Sequence, residues 1–186
     1  MNCTPRSALT RISSVVLVAG LVAGAVLTGA GSGAAAAGSP SLRAAPAARC
    51  TGDQAVATGA HRTVTSQVVI TVVNKGRKPC VLTGFPTVAL AGLGSPAKNR
   101  PLLVVRQGKA APVQLAVGGR ASTRLSFTPV LGEADGYCAS GATPTVAPTL
   151  VVGVAGTQNQ LAPDDGGEFA LCGTSVRATA FRAGGS

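Results

Sequence analysis

Apolar and polar residues alternate with a period of two along most of this chain, and no stretch shows helical periodicity. From Val64 to Val73, one face carries Val64, Val68, Ile70 and Val72, while the other sets Thr65, Gln67 and Thr71 among two further valines. β-Branched side chains at that period predict a long, half-buried strand. Asn74-Lys75-Gly76 then supplies a polar turn. A shorter first strand over Gln54–Thr58 would pair antiparallel with this one, leaving His61 in the loop between them. The next strand begins at Cys80-Val81-Leu82, is interrupted at Gly84-Phe85-Pro86 and resumes over Val88-Ala89-Leu90. Proline cannot donate to a ladder, so Pro86 marks an edge, a bend or a bulge.

Further apolar runs follow between turn residues: Leu102–Arg106, Pro112–Val117, Val146–Val154 and Ser175–Phe181. After Gly118-Gly119, residues Ala121, Thr123, Leu125 and Phe127 point one way and Ser122, Arg124 and Ser126 the other. About seven or eight short strands punctuated by Gly and Pro, with no helix between them, predict an all-β sandwich. The chain has no Trp and only 3% aromatic residues, so the core must rest on Val and Leu. Small side chains gain less from burial, at roughly 25 cal/mol per Å², which makes covalent cross-links more useful.

The N-terminal segment does not fit this pattern. Arg6 and Arg11 precede a wholly apolar or small run, Val15 to Leu27, and small residues around Ala35-Ala36-Ala37 follow. That is the layout of a cleaved secretory signal, here residues 1–37, and the apolar run is short for a bilayer span. An uncleaved anchor is the competing reading, and Gly20 and Gly24 even make a helix-packing GxxxG. The arginines are not adjacent, so a twin-arginine route is not indicated. Cys3 lies before the apolar run and Cys50 well beyond it, so neither is placed for acylation, and the last residues offer no second apolar span. Residues 38–49 read as a flexible linker rich in Pro, Ser, Gly and Ala, and residues 50–186 as one domain.

Four cysteines remain in that domain: Cys50, Cys80, Cys138 and Cys172. An even set in an exported β-rich domain predicts two disulfides. An antiparallel first hairpin brings Cys50, before its first strand, and Cys80, after its second, to one end of the sheet. That favours Cys50–Cys80 and leaves Cys138–Cys172, although four cysteines permit three connectivities.

The run Asn74-Lys75-Gly76-Arg77-Lys78-Pro79-Cys80-Val81-Leu82-Thr83-Gly84-Phe85-Pro86-Thr87-Val88 resembles the signature Asn-Thr-Gly, Pro-Cys-x-Leu-x-Gly-Tyr-Pro-x-Val. That signature belongs to a secreted domain-of-unknown-function family (four-two-three-two in family numbering) common in high-GC Gram-positive bacteria. Cys50, the pair Cys138 and Cys172, the stretch Leu115–Ala121 and the apolar ending near Phe181 extend the resemblance over residues 50 to 182. Val117 stands where the family usually has Pro, Phe85 replaces the commoner Tyr, and Phe127 sits where an aromatic, often Trp, is expected. The resemblance implies an exported, immunoglobulin-like antiparallel β-sandwich and no established activity.

Candidate chemistry is sparse. His61 is the sole histidine and no motif frames it for a Ser-His-Asp triad or an imidazole metal site. The cysteines lack a C-x-x-C spacing and Met1 is the one methionine, so no zinc or soft-metal site is expected and no cofactor is implied. Asp164, Asp165 and Glu168 cluster on a Gly-rich loop, but without the D-x-[DN]-x-[DN]-G spacing of a calcium loop, and a solvated turn is expected there. Two acids without a fixed separation or aromatic sugar platforms do not make a glycosidase. The chain is expected not to be an enzyme.

Charge says more. Sixteen Lys and Arg face six Asp and Glu, a formal net charge of +10. Lys75, Arg77 and Lys78 crowd one turn and form the candidate anion-binding group; Lys98, Arg100, Arg106 and Lys109 follow, and Arg120 and Arg124 share one strand face. A positive field attracts polyanions. Nucleic acid is not expected, because an exported chain with one Tyr and no Trp lacks both target and stacking surfaces. Anionic wall polymers or lipid headgroups fit better, set against the plain reading that these charges confer solubility. The preferred function is therefore an exported, non-enzymatic module that binds cell-envelope material. The alternative is a secreted inhibitor or protein-binding module that presents the Gly92–Arg100 loop, with Pro96, Lys98 and Arg100, on a rigid frame.

The export reading predicts that the mature protein begins near Ala37 or Gly38. Intact-mass measurement should show that start, whereas a retained apolar segment or a lipid adduct on any cysteine would overturn it.

Overall fold

The computed structural model describes residues 47–132 and 136–184. The expected signal segment lies outside the described residues, as does the expected linker up to residue 46. The linker's final residues join the fold. The Val81 amide donates to the Ala48 carbonyl at 2.8 Å and the Cys50 amide to Val81 at 3.0 Å.

Fourteen strands succeed one another in the described chain. In order they are β1 (Ala55–Val64), β2 (Gln67–Asn74), β3 (Cys80–Leu82), β4 (Thr87–Ala91), β5 (Arg100–Pro101), β6 (Leu103–Gln107) and β7 (Val113–Leu115). Then come β8 (Arg120–Phe127), β9 (Thr145–Ala147), β10 (Thr149–Val154), β11 (Thr157–Leu161), β12 (Phe169–Leu171), β13 (Ser175–Thr179) and β14 (Arg182–Ala183). The larger sheet has the order β1-β2-β8-β13-β6, with β14 also on β8; the smaller has the order β11-β10-β4-β5. Two short pairs, β9–β12 and β3–β7, complete the ladders.

Period-two alternation places the core. Val68, Ile70 and Val72 of β2, Ala121, Leu125 and Phe127 of β8, and Val176 and Ala178 of β13 are buried on one side of the larger sheet. They form one cluster with Val88 and Leu90 of β4 and with Leu150, Val152 and Val154 of β10. Each fully buried Val or Leu contributes roughly 1.5–3 kcal/mol relative to exposure. Phe169 is buried among them, with its ring tilted against Phe127 at a centroid distance of 6.3 Å.

The structure departs from the sequence reading at identifiable points. β1 runs on through Val64, so His61 stands on a strand opposite Val69 and not in a loop. Register shifts at Ala57/Gly59 and Arg62/Val64 break its alternation, which hides its length from a periodicity argument. The run Val146–Val154 is two strands in different ladders, β9 on β12 and β10 on β4 and β11, because Pro148 falls between them and has no amide to donate. The run Leu102–Arg106 belongs to the larger sheet only from Leu103 onward. The buried Leu102 donates its amide to Val88, whereas Leu103 donates to Thr174 across the change of sheet. The ladders are not all antiparallel, because β6 and β13 run parallel from Leu103↔Ser175 to Gln107↔Thr179.

Two disulfides tie the periphery. Cys50–Cys80 spans 30 residues with Cα atoms 4.8 Å apart and fastens the start of β3 to the segment preceding β1. Cys138–Cys172 spans 34 residues with Cα atoms 5.6 Å apart and fastens the loop after β8 to the end of β12. Both bridges suit an oxidising compartment.

A polar clasp closes the same end as the first bridge. Asn74 is fully buried, and its Nδ2 donates to the carbonyls of Lys78 at 3.0 Å and Leu115 at 3.1 Å. Its Oδ1 accepts the Gly76 amide at 2.9 Å. Its backbone pairs with Gly118 and Gly119, so one residue joins the β2 turn, the turn before β8 and the end of β7. Buried polar groups left without partners are costly, so these bonds hold the turns in place.

Loss of either bridge, by Cys→Ala pairs or by reduction, should lower stability by about 4 kcal/mol in the chain-entropy model, read by urea unfolding. The bridges would count for little if the reduced protein melted like the oxidised one. Asn74→Ala should cost about 2–3 kcal/mol, because the Gly76 amide and two carbonyls lose their partner; an unchanged midpoint would show that water replaces the amide without loss.

Candidate functional site

The basic turn is built by its neighbours. Asn74 bends the chain in an Asx-turn onto Gly76, and the Lys75 amide donates to the Gln54 carbonyl at 2.8 Å. Gly76 has no room for a side chain, since a Cβ there would lie 2.7 Å from Gln54 Cγ. With the backbone so engaged, Lys75, Arg77 and Lys78 all face solvent.

The turn adjoins a second group of cations. Gly118, at φ 74°, and Gly119 form the tight turn that lies against Asn74. This turn delivers Arg120 opposite Val73, beside the basic turn. Along β8 the buried Ala121, Thr123, Leu125 and Phe127 alternate with Arg120, Ser122, Arg124 and Ser126, so the latter four occupy the outer face. Directly paired residues share a face. Arg177 of β13 pairs with Ser126, and Arg182 of β14 pairs with Ser122, so both join Arg120 and Arg124 there. All four arginines are exposed. Among the described residues no carboxylate lies within ion-pairing distance of them.

Two shallow hollows open on this face. One, of about 120 Å³, is lined by Val69, Ser122, Thr123, Arg124, Thr179 and Arg182. The other, of about 330 Å³, includes Val105, Ser126, Phe127, Thr128, Ser175 and Arg177.

The remaining basic residues lie elsewhere. Lys98 and Arg100 line a hollow of about 230 Å³ beside the smaller sheet, with Ala91, Gly92, Val146 and Pro148. Arg106 stacks over the Phe85 ring at 5.5 Å, and Lys109 stands exposed beyond β6. The Gly92–Arg100 loop is braced by Gln160 Nε2 donating to the Gly92 carbonyl at 2.6 Å and Asn99 Nδ2 donating to Pro96 at 2.7 Å. Arg177 and Arg182 went unmarked as candidates in the sequence. Arg177 lies between the buried Val176 and Ala178, a signal that could have placed it.

The acidic loop is docked rather than free. The Asp164 amide donates to the Ala60 carbonyl at 3.0 Å, and Asp164 Oδ2 meets His61 Nδ1 at 2.5 Å. Arg62 Nε pairs with Asp165 Oδ2 at 2.7 Å, its Nη2 donates to the Glu168 carbonyl at 2.8 Å, and its guanidinium lies 5.8 Å from the centre of the Phe169 ring. The hydrogen bond from His61 holds the Asp164 carboxyl below its usual range, helped by the Arg62 amide and the attraction of His61. The carboxylates of Asp164 and Asp165 are thus engaged with β1. Among the described residues no group of three His, Cys, Asp or Glu side chains is placed to hold a metal, and no Ser, Thr or Cys side chain bonds to His61.

What these elements assemble is a cationic surface, with the basic turn at one end of β8 and arginines along its outer face. No curated protein and no solved structure matches the chain. A family profile matches residues 49–182, which include both disulfides, the basic turn and every arginine of the outer face. On that match the chain belongs to the family described as Domain of unknown function (DUF4232).

Proposed function

We propose that this protein is an exported, non-enzymatic β-sandwich of immunoglobulin-like design that binds anionic cell-envelope material through the outer face of its larger sheet. The observation that carries the reading is the placement of Arg120, Arg124, Arg177 and Arg182 on one outer face, next to Lys75, Arg77 and Lys78. Among the described residues no carboxylate forms an ion pair with any of these seven cations, so together they raise the local positive potential. A rigid ladder carries the arginines, so little ordering of backbone is needed when a polyanion binds.

The two sheets, with one core drawn from both, support the sandwich architecture. The two disulfides support export, as does the basic-then-apolar N-terminal sequence. Anionic wall polymers and lipid headgroups both offer the repeating negative charge that such a face attracts. The contacts are individually weak and screened beyond about 8–10 Å at physiological salt, so affinity comes from several at once. The braced Gly92–Arg100 loop, with Leu93 72% exposed, supports the inhibitor reading less well, because a single exposed leucine makes no extended contact patch.

Replacing Lys75, Arg77 and Lys78 together by Ser should weaken binding to vesicles of anionic phospholipid or to isolated wall material and flatten its salt dependence. Stability should change by no more than about 0.5 kcal/mol, because all three side chains are exposed. If the variant binds like the parent at low salt, the turn contributes only solubility.

A further inference from the structure

The smaller hollow on the arginine face has a construction that a solubilising surface does not require. β13 follows β8 in register as far as Ala178↔Leu125, and β14 rejoins it at Arg182↔Ser122. Three residue steps on β8 are therefore matched by four on the opposing chain, a bulge. Within it Ala180 and Phe181 turn into the core, 4% and 3% exposed, and the Phe181 amide donates to Gly84 at 3.1 Å. This inward turn leaves Arg124 and Arg182 on either side of a recess of about 120 Å³.

The recess is rich in donors. The Thr179 hydroxyl accepts the Arg124 amide at 2.9 Å, and Thr123 Oγ1 donates to the Thr179 carbonyl at 2.6 Å. The proton of Thr179 then has only the distant Thr123 oxygen, at 3.5 Å, as a partner within the protein. Among the described residues the Ser122 hydroxyl and the guanidinium groups of Arg124 and Arg182 have no hydrogen-bond partner. Two arginines and three hydroxyl residues thus line one small space with no carboxylate among them.

We infer that this recess is a subsite for a single phosphate-class oxyanion. The reasoning deepens the envelope-binding reading and rests on it for the origin of the ligand. A carboxylate has two oxygens and is satisfied by one guanidinium fork, whereas a tetrahedral phosphate offers acceptors in several directions to donors on two strands. The volume lies far below the roughly 300 Å³ at which pockets for drug-sized ligands begin, so it holds one charged group and not a ring system. A phosphodiester unit of a polymer backbone and free inorganic phosphate share this chemistry.

The test is a titration of isotope-labelled protein followed by amide shifts, with inorganic phosphate and dimethyl phosphate as separate probes and sodium chloride as the ionic-strength control. Saturable shifts centred on Ser122, Arg124, Thr179 and Arg182 are expected, with affinity reduced on the order of tenfold in Arg124→Gln and in Arg182→Gln. Ser122→Ala, which leaves the ladder untouched, should reduce it a few-fold. Preference for dimethyl phosphate would identify a polymer diester as the ligand, and preference for inorganic phosphate would identify the free ion; either supports the subsite. Shifts that match the chloride control, that centre on Lys75–Lys78, or that persist unchanged in both arginine variants would overturn it. Salt-dependent vesicle binding by the parent protein separates the two ideas. If that binding holds while neither phosphate probe saturates, the subsite falls and the envelope reading stands. If phosphate saturates while vesicle binding fails, the reverse applies.

Discussion

A two-sheet core made mainly of valine, leucine and alanine has to be fastened at its rims. The inner faces of the two sheets supply hydrophobic burial in the middle, but with four Phe and no Trp there are few large side chains to plug the ends. Each end is instead closed by bonds. Cys50–Cys80 and the Asn74 amide hold the end where β1 starts and β2 finishes. Cys138–Cys172 holds the loop after β8 against the end of β12, where the Cys172 amide also donates to Thr128. The flank is fastened by polar contacts, where the Asp164 and Asp165 carboxylates meet His61 and Arg62 and the Arg62 guanidinium lies over Phe169. That contact carries the chain leaving β11 back to β1, and so joins the two sheets along one edge.

These fastenings determine where charge can go. The Asp164 and Asp165 side chains meet His61 and Arg62 of β1, so these two acids lie on that flank. The outer face of the larger sheet is left without them. The Asx-turn at Asn74 similarly engages backbone groups and leaves the Lys75, Arg77 and Lys78 side chains to solvent. The separation of Asp164 and Asp165 from the arginine face is thus a consequence of how the edges close.

Much of the fold was legible from alternation. Where a strand keeps register, as β2 and β8 do, period two gives its buried face, although the run expected from Val64 begins only at Gln67 and Val64 is an exposed residue of β1. Reading failed where register shifts or a change of sheet intervened: in β1 with its two irregularities, at Pro148, and at Leu102. The strands β11 and β12 were missed for a different reason, since Thr157-Gln158-Asn159-Gln160 is polar and Phe169-Ala170-Leu171 is short. The pairing of cysteines followed from strand order because both ends of an antiparallel hairpin must meet. The basic turn was visible as a cluster in sequence. The arginine face was only half visible, because Arg120 and Arg124 lie on one strand whereas Arg177 and Arg182 join them through pairings some fifty residues distant.

Spacing along the sheet also ranks the cations. Arg120 and Arg124 are four residues apart on one strand, about 13 Å at the usual rise, which exceeds the screening length of about 8–10 Å. They barely feel each other. On neighbouring strands, where the ladder spacing is about 4.8 Å, Arg182 is offset by two residues from both Arg120 and Arg124, and Arg177 by two residues from Arg124. These diagonal pairs repel one another more than Arg120 and Arg124 do, and no ion pair among the described residues neutralises them. Exposed like charges held this close are slightly destabilising, so a chain selected only for solubility gains more by spreading them. A bound anion would relieve that repulsion and add charge-assisted bonds, and Arg182, set beside the bulge, stands diagonal to both Arg120 and Arg124.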